Sequence, residues 1–94
     1  MTGRSRSINQ RITLRQLEYV VAVGELGSIT AASDKVNVSS PSISAAISQL
    51  EMDMGVQIFV RRHAQGLSLT SSGRRLFDEA KVILNKVQNL GAVA

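Results

Sequence analysis

The 94-residue chain contains no cysteine and no tryptophan, one proline and one histidine. Without cysteine there can be no disulfide framework, no thiolate metal site and no thiol nucleophile. A single histidine also excludes the clustered imidazoles of most metal centres. Aromatics are scarce: Tyr19, Phe59 and Phe77 are the whole set, so Val, Ile, Leu and Ala must fill the core. No apolar run is long enough to cross a bilayer. The start of the chain lacks the apolar stretch of a signal peptide, so the expected location is cytoplasmic, with no membrane partner. The seven Asp and Glu residues include no pair placed for acid–base chemistry. There is no glycine-rich phosphate loop either. Neither an enzyme nor a cofactor is expected.

What is present suits one small globular domain: 44% of residues are hydrophobic and the formal net charge is +4. A basic balance points to an anionic partner, nucleic acid before an acidic membrane surface. The basic residues are grouped. Arg4, Arg6, Arg11 and Arg15 all precede the first acid, Glu18, and two later clusters are Arg61–Arg62 and Arg74–Arg75.

Residues 1–12 are polar and basic and read as a flexible arm. Thr13 followed by Gln16 forms a capping-box pattern, which starts a first helix. Leu14, Leu17, Val20, Val21 and Ala22 give it an apolar face, and Gly24 and Gly27 mark its end. Ser28 is a good N-cap for a short second helix, with Ile29, Ala32 and Val36 turned inward. Residues 37–40 read as a turn. A third helix begins at Ser40 or Pro41. Ser40 suits the cap and Pro41 the first helical position, because a residue before proline avoids the α region. Ile43, Ile47, Leu50 and Met54 form its inward stripe, Ser40, Ser44 and Ser48 line the opposite side, and Gly55 ends it.

Residues 57–70 read as a β-hairpin. Ile58-Phe59-Val60 favours a strand, His63-Ala64-Gln65-Gly66 supplies a turn, and Leu67-Ser68-Leu69 alternates with period two. A last helix, capped by Thr70, runs from Ser71 towards Leu90. In it Leu76, Ala80, Ile83, Val87 and Leu90 recur at intervals of four and three. That is a heptad seam, which predicts that two such helices pack along their lengths as a homodimer. Phe77 and Leu84 widen its apolar face.

The fold class is therefore mainly α: three short helices and a hairpin wing, the parts of a winged helix-turn-helix, followed by a long linker helix. The geometry suits double-stranded DNA. A major groove about 12 Å wide admits one helix, and a wing can reach the neighbouring groove. Residues 40–54 fit the groove helix. Their short outer side chains, Ser40, Ser44, Ala45 and Ser48, let its axis approach the base edges. Serine bonds phosphate or base but discriminates bases weakly. The free N–H groups at the helix start, around Ser39, Ser40, Pro41 and Ser42, suit a phosphate. Arg61 and Arg62 flank the wing tip, and arginine favours phosphates and narrow minor grooves. Surface ion pairs with Glu51 or Asp53 are the alternative. His63 is either a phosphate contact or a polar turn residue.

Five ordered segments carry a family resemblance. Leu14–Val23 resembles the opening helix of LysR-type regulators, Gly27–Ser33 their second helix, and Val38–Ser44 the start of their recognition helix. Leu50-Glu51, Gly55–Phe59 and Arg61 continue in register, and Leu69-Thr70 with Gly73 resembles the passage from wing to linker helix. The resemblance covers about residues 13–90. It implies a DNA-binding domain at 13–70 and a dimerising linker helix at 71–94, truncated before an effector-sensing domain. Any small-molecule effector would act through that absent domain. Carried over residue by residue, Pro41 and Ser44 fall near the groove and Thr30 near the DNA backbone. The family's usual glutamine and arginine are here Ser40 and Ala45, and a basic wing-tip residue aligns with Ala64. The expectation is few long-side-chain base contacts and more shape readout. The rival reading is a winged-helix protein-interaction or oligomerisation module without specific DNA binding.

Overall fold

The structure is a computed structural model that describes residues 12–63 and 66–91. Residues 1–11 of the basic arm expected at 1–12 lie outside the described residues, as do Ala64 and Gln65 of the expected wing tip and residues 92–94 of the expected linker. The elements run α1 (Leu14–Leu26), α2 (Ile29–Val36), α3 (Ser40–Met54), β1 (Phe59–Arg62), β2 (Gly66–Leu69) and α4 (Ser71–Leu90). The two strands form one antiparallel hairpin, with Phe59 opposite Leu69 and Arg62 opposite Gly66. This is the winged helix-turn-helix with a long fourth helix that the sequence predicts.

Local chemistry sets most of the boundaries. The Thr13 hydroxyl accepts from the Gln16 N–H at 3.1 Å, and the Gln16 amide oxygen accepts from the Thr13 N–H at 2.9 Å, closing the capping box. Ser28 caps α2 by accepting from the Ala31 N–H at 3.1 Å. Asn37 ends it in the left-handed region, at φ 60°. Asparagine tolerates that conformation better than most residues.

Four expectations need correction. The cap of α3 is Ser39, not Ser40: the Ser39 hydroxyl accepts from the Ser42 N–H. Pro41 thus falls one position further in, where its missing N–H is still one the helix would leave unpaired. Gly24 does not end α1, which continues to Leu26. Gly24 is there for close approach, since a Cβ at that position would lie 2.6 Å from the Phe77 ring. Leu14 is exposed rather than part of the α1 core face. At about 100° per residue it stands about 120° away from Val20 around the helix, and Val20 is fully buried. Finally, β1 starts at Phe59, not Ile58. The Ile58 N–H is taken by the Glu51 carboxylate, so only its carbonyl, which accepts from the Thr70 N–H, continues the hairpin ladder.

The core lies where α1 crosses α2, α3 and α4. Val20, Val23, Ala32, Ile43, Leu50 and Ile58 are fully buried, and Tyr19, Phe59 and Phe77 close the edges. Backbone bonds tie the wing to the end of α1 and to the residue that caps α4. The Leu67 N–H donates to the Gly27 carbonyl at 3.1 Å, and the Thr70 N–H donates to the Ile58 carbonyl at 3.0 Å.

Candidate nucleic-acid interface

The face of α3 opposite the core is made by two periodicities. Ile43, Ile47 and Leu50 are buried, which turns Pro41, Ala45, Ser48, Gln49 and Met52 to solvent. Ser40 and Ser44 are half-buried and Ser48 is exposed. A spacing of four overshoots the helical turn by about 40°, so the serine stripe winds from the edge of the face towards its centre. The hydroxyls of Ser39 and Ser42 hydrogen-bond to each other at 2.8 Å at the helix start. α3 carries no basic residue at all, and its first charge is Glu51.

The wing brings its cation beside that face. A groove of about 300 Å³ between α3 and the wing is lined by Ser44, Ser48 and Glu51 on one side and by Phe59, Arg61 and Leu67 on the other. A second concavity of about 190 Å³ adjoins it, where Ser28 and Thr30 at the start of α2 face Arg61 and Leu67. Arg61 therefore borders α2, α3 and the wing at once. Arg62 and His63 follow it towards the tip and are exposed.

The structure thus brings Thr30, Ser44, Ser48 and Arg61 together around one concave region. Ser39, Pro41 and Ser42 sit at the start of α3. The ion pairs weighed for Arg61 and Arg62 do not form among the described residues. Glu51 accepts from the Ile58 and Phe59 N–H groups, and Asp53 accepts from the Gln49 amide at 3.0 Å. Sequence reasoning missed Gln49, a long polar side chain on the outer face of α3. It also missed that Glu51 turns back to the wing. Only the three-dimensional return of residues 58–59 to α3 gives Glu51 that partner.

The heptad seam divides in two. Ala80 is fully buried in the chain's own core and Leu76 is packed against it, so Ala80 must be reassigned from the dimer face to the subunit interior. The reason is Phe77, which seats the first half of α4 on α1 at Gly24. Ile83, Val87 and Leu90 remain exposed, with Val82 beside them.

Among the described residues no three His, Asp or Glu side chains are grouped to hold a metal ion, and no helix is long and apolar enough to cross a membrane.

This architecture is shared with known proteins. A family model described as "Bacterial regulatory helix-turn-helix protein, lysR family" matches residues 14–74. The HTH-type transcriptional regulator TfdT of Cupriavidus pinatubonensis is 39% identical over 75 residues, covering 80% of this chain and 32% of TfdT. The chain thus spans about a third of the length of that relative. Among solved structures, the DNA complex of the CbnR DNA-binding domain superposes with a TM-score of 0.80 at 36% identity, covering 86% of this chain and 92% of that one. The complex of the BenM DNA-binding domain with benA site 1 DNA gives 0.81 at 32% identity, covering 87% of this chain and 91% of that one.

Proposed function

The chain belongs to the LysR family of bacterial regulatory helix-turn-helix proteins, and from that premise we propose that it binds double-stranded DNA sequence-specifically, as the DNA-binding region of a transcriptional regulator. Residues 13–70 form the reading head and 71–94 the linker. α3 enters the major groove with Pro41, Ser42, Ser44, Ala45 and Ser48 towards the base edges. Thr30, Ser39 and Ser40 meet the phosphate backbone. Arg61, Arg62 and His63 on the wing approach the adjacent minor groove. No catalytic step is assigned, in keeping with relatives that are transcriptional regulators. A bacterial DNA-binding regulator works in the cytoplasm.

One observation carries the reading: a domain 36% identical to this chain, matched over 92% of its length, was solved on DNA. The unpaired Arg61 beside an α3 face of short side chains supplies the physical support. Phosphates would be neutralised from the wing, and the helix would come close enough to the bases to read them.

The exposed residues Ile83, Val87 and Leu90 on α4 support a homodimer through the second half of that helix. A two-fold dimer would read two half-sites of a symmetric operator. The same apolar face is what favours the rival reading of a protein-association module.

The test is a fluorescence-anisotropy titration of labelled duplexes at two salt concentrations with random competitor. A two-fold-symmetric A·T-rich site is expected to bind more tightly than random duplex. Affinity should fall with salt by a log–log slope of about 0.9 per phosphate contacted. A folded, dimeric chain that binds no duplex at low salt would favour the protein-association module instead.

A second expected result concerns the short-side-chain face. Ser44→Arg puts a long cationic side chain into the groove beside Arg61. It should shift preference towards guanine by roughly tenfold at one position per half-site, since arginine pairs bidentately with that base. Competition binding over a duplex panel reads the shift, and unchanged affinity and preference would remove Ser44 from the interface.

A further inference from the structure

Three elements are stitched together on the segment Gln57–Phe59. From α3, the Glu51 carboxylate accepts from the Ile58 N–H at 2.7 Å and the Phe59 N–H at 3.4 Å. From the start of α4, the Thr70 N–H donates to the Ile58 carbonyl at 3.0 Å, and the Thr70 hydroxyl donates to the Gln57 carbonyl. The same Thr70 hydroxyl caps α4 by accepting from the Gly73 N–H at 2.8 Å. Among the described residues, Glu51 makes the only side-chain hydrogen bonds that join α3 to the wing.

The consequence for the DNA face follows from strand geometry. Side chains two apart on a strand share a face, so Phe59 and Arg61 move together. Both line the groove that Ser44 and Ser48 line from α3. One Glu51 carboxylate oxygen accepts from both N–H groups, so the reach of the side chain sets where the wing stands. These bonds form where Ile58 and Phe59 are already buried.

We propose that Glu51 is a positioning residue for DNA recognition: it fixes the wing, and with it the Arg61 guanidinium, at the distance from α3 that lets one duplex engage both. This rests on the DNA-binding reading above. It assigns a role to an acid on the recognition helix, where simple electrostatics gives it the wrong sign. A negative charge beside DNA repels phosphate, so on charge alone every neutral replacement should tighten binding. Positioning predicts that the replacement matters by its reach and not by its charge.

The experiment uses the 94-residue chain, a duplex it selects from a random pool, and four variants: E51Q, E51D, E51A and R61A. Glutamine keeps an acceptor oxygen at the same reach without the charge. Aspartate keeps the charge but is one methylene shorter. Under the proposal E51Q binds at least as tightly as the wild type. E51D and E51A bind about tenfold more weakly, and their salt slope falls by about one phosphate contact. In the R61A background, E51D should change affinity by less than about twofold, because the contact it spoils is already gone.

Three results would overturn the proposal. One is E51D binding as well as the wild type. Another is an E51D loss of the same size with and without Arg61, which would make the residue merely structural. The third is loss of folding by both E51D and E51A, which would show that Glu51 holds the fold rather than the wing. A wild-type chain that selects no sequence removes the DNA-binding reading itself and this proposal with it. Selection by the wild type with additive variants sinks the positioning role alone.

Discussion

Gly73→Ala is expected to destabilise the fold by about 2–3 kcal/mol, a typical penalty for forcing an atom into a packed site. For a chain of this size that lowers Tm by roughly 10–20 °C. Helix propensity alone gives the opposite sign, because alanine is about 1 kcal/mol better than glycine inside a helix. The clash decides it. A Cβ on Gly73 would fall onto the Ile58 carbonyl oxygen, with the carbonyl carbon at 2.9 Å, and these are backbone atoms that cannot rotate away. The Ile58 carbonyl is also the acceptor for the Thr70 N–H. Relief of the clash would therefore have to break that hydrogen bond or lift the start of α4 off the core. Thermal unfolding followed by circular dichroism measures the effect, with the exposed Ser72→Ala as the neutral comparison. An unchanged or raised Tm in Gly73→Ala would mean that α4 does not approach Ile58 this closely.

Ile83→Asp should weaken the proposed dimer at least about a hundredfold while leaving the subunit folded. Ile83 is 39% exposed, so the chain's own core depends on it only in part. Burying an aliphatic side chain is worth roughly 1.5–3 kcal/mol. A two-fold interface counts each substitution twice. Together these give about 3–6 kcal/mol, before adding the desolvation of an unpaired carboxylate. A duplex with two half-sites should then lose about two orders of magnitude in affinity, and a single half-site almost none. Sedimentation velocity and anisotropy on the two duplexes separate these effects. A variant that stays dimeric would place the pairing surface elsewhere.

The sequence and the structure agree wherever a short stretch decides the outcome. The Thr13–Gln16 capping box, the caps Ser28 and Thr70, and the inward stripe Ile43, Ile47 and Leu50 are all local patterns, and each stands where its spacing predicts. The winged-helix class follows from their order. The misreadings share another cause: a contact between residues far apart in the chain. Gly24 reads as a helix end until Phe77 is seen against it. Ala80 reads as part of an outward seam until the same Phe77 pulls its half of α4 onto α1. The ion pair of Glu51 with an arginine stays open as an alternative until the backbone of residues 58–59 returns to claim that carboxylate. The slip from Ser39 to Ser40 is different: the rule that a residue before proline avoids the α region favours Ser40 as the cap, yet Ser40 is already helical and Pro41 stands second in α3. What separates them is which hydroxyl reaches the N–H three residues on, and Ser39 does. The DNA-facing residues are legible only as a set, since each serine alone is an ordinary surface residue.

The absence of any lysine or arginine from α3 bears on how such a protein would hunt for its operator. Grip on an arbitrary stretch of duplex comes from cations near phosphates, and here those sit on the wing and other flanking elements. Scrutiny of the bases belongs to an uncharged helix. Ionic strength would then govern chiefly how long the protein lingers at each random position, while the part of the preference that α3 supplies stays nearly constant. The scan could be made faster or slower by changing Arg61 or Arg62, and the share of the reading done by α3 would be left as it is.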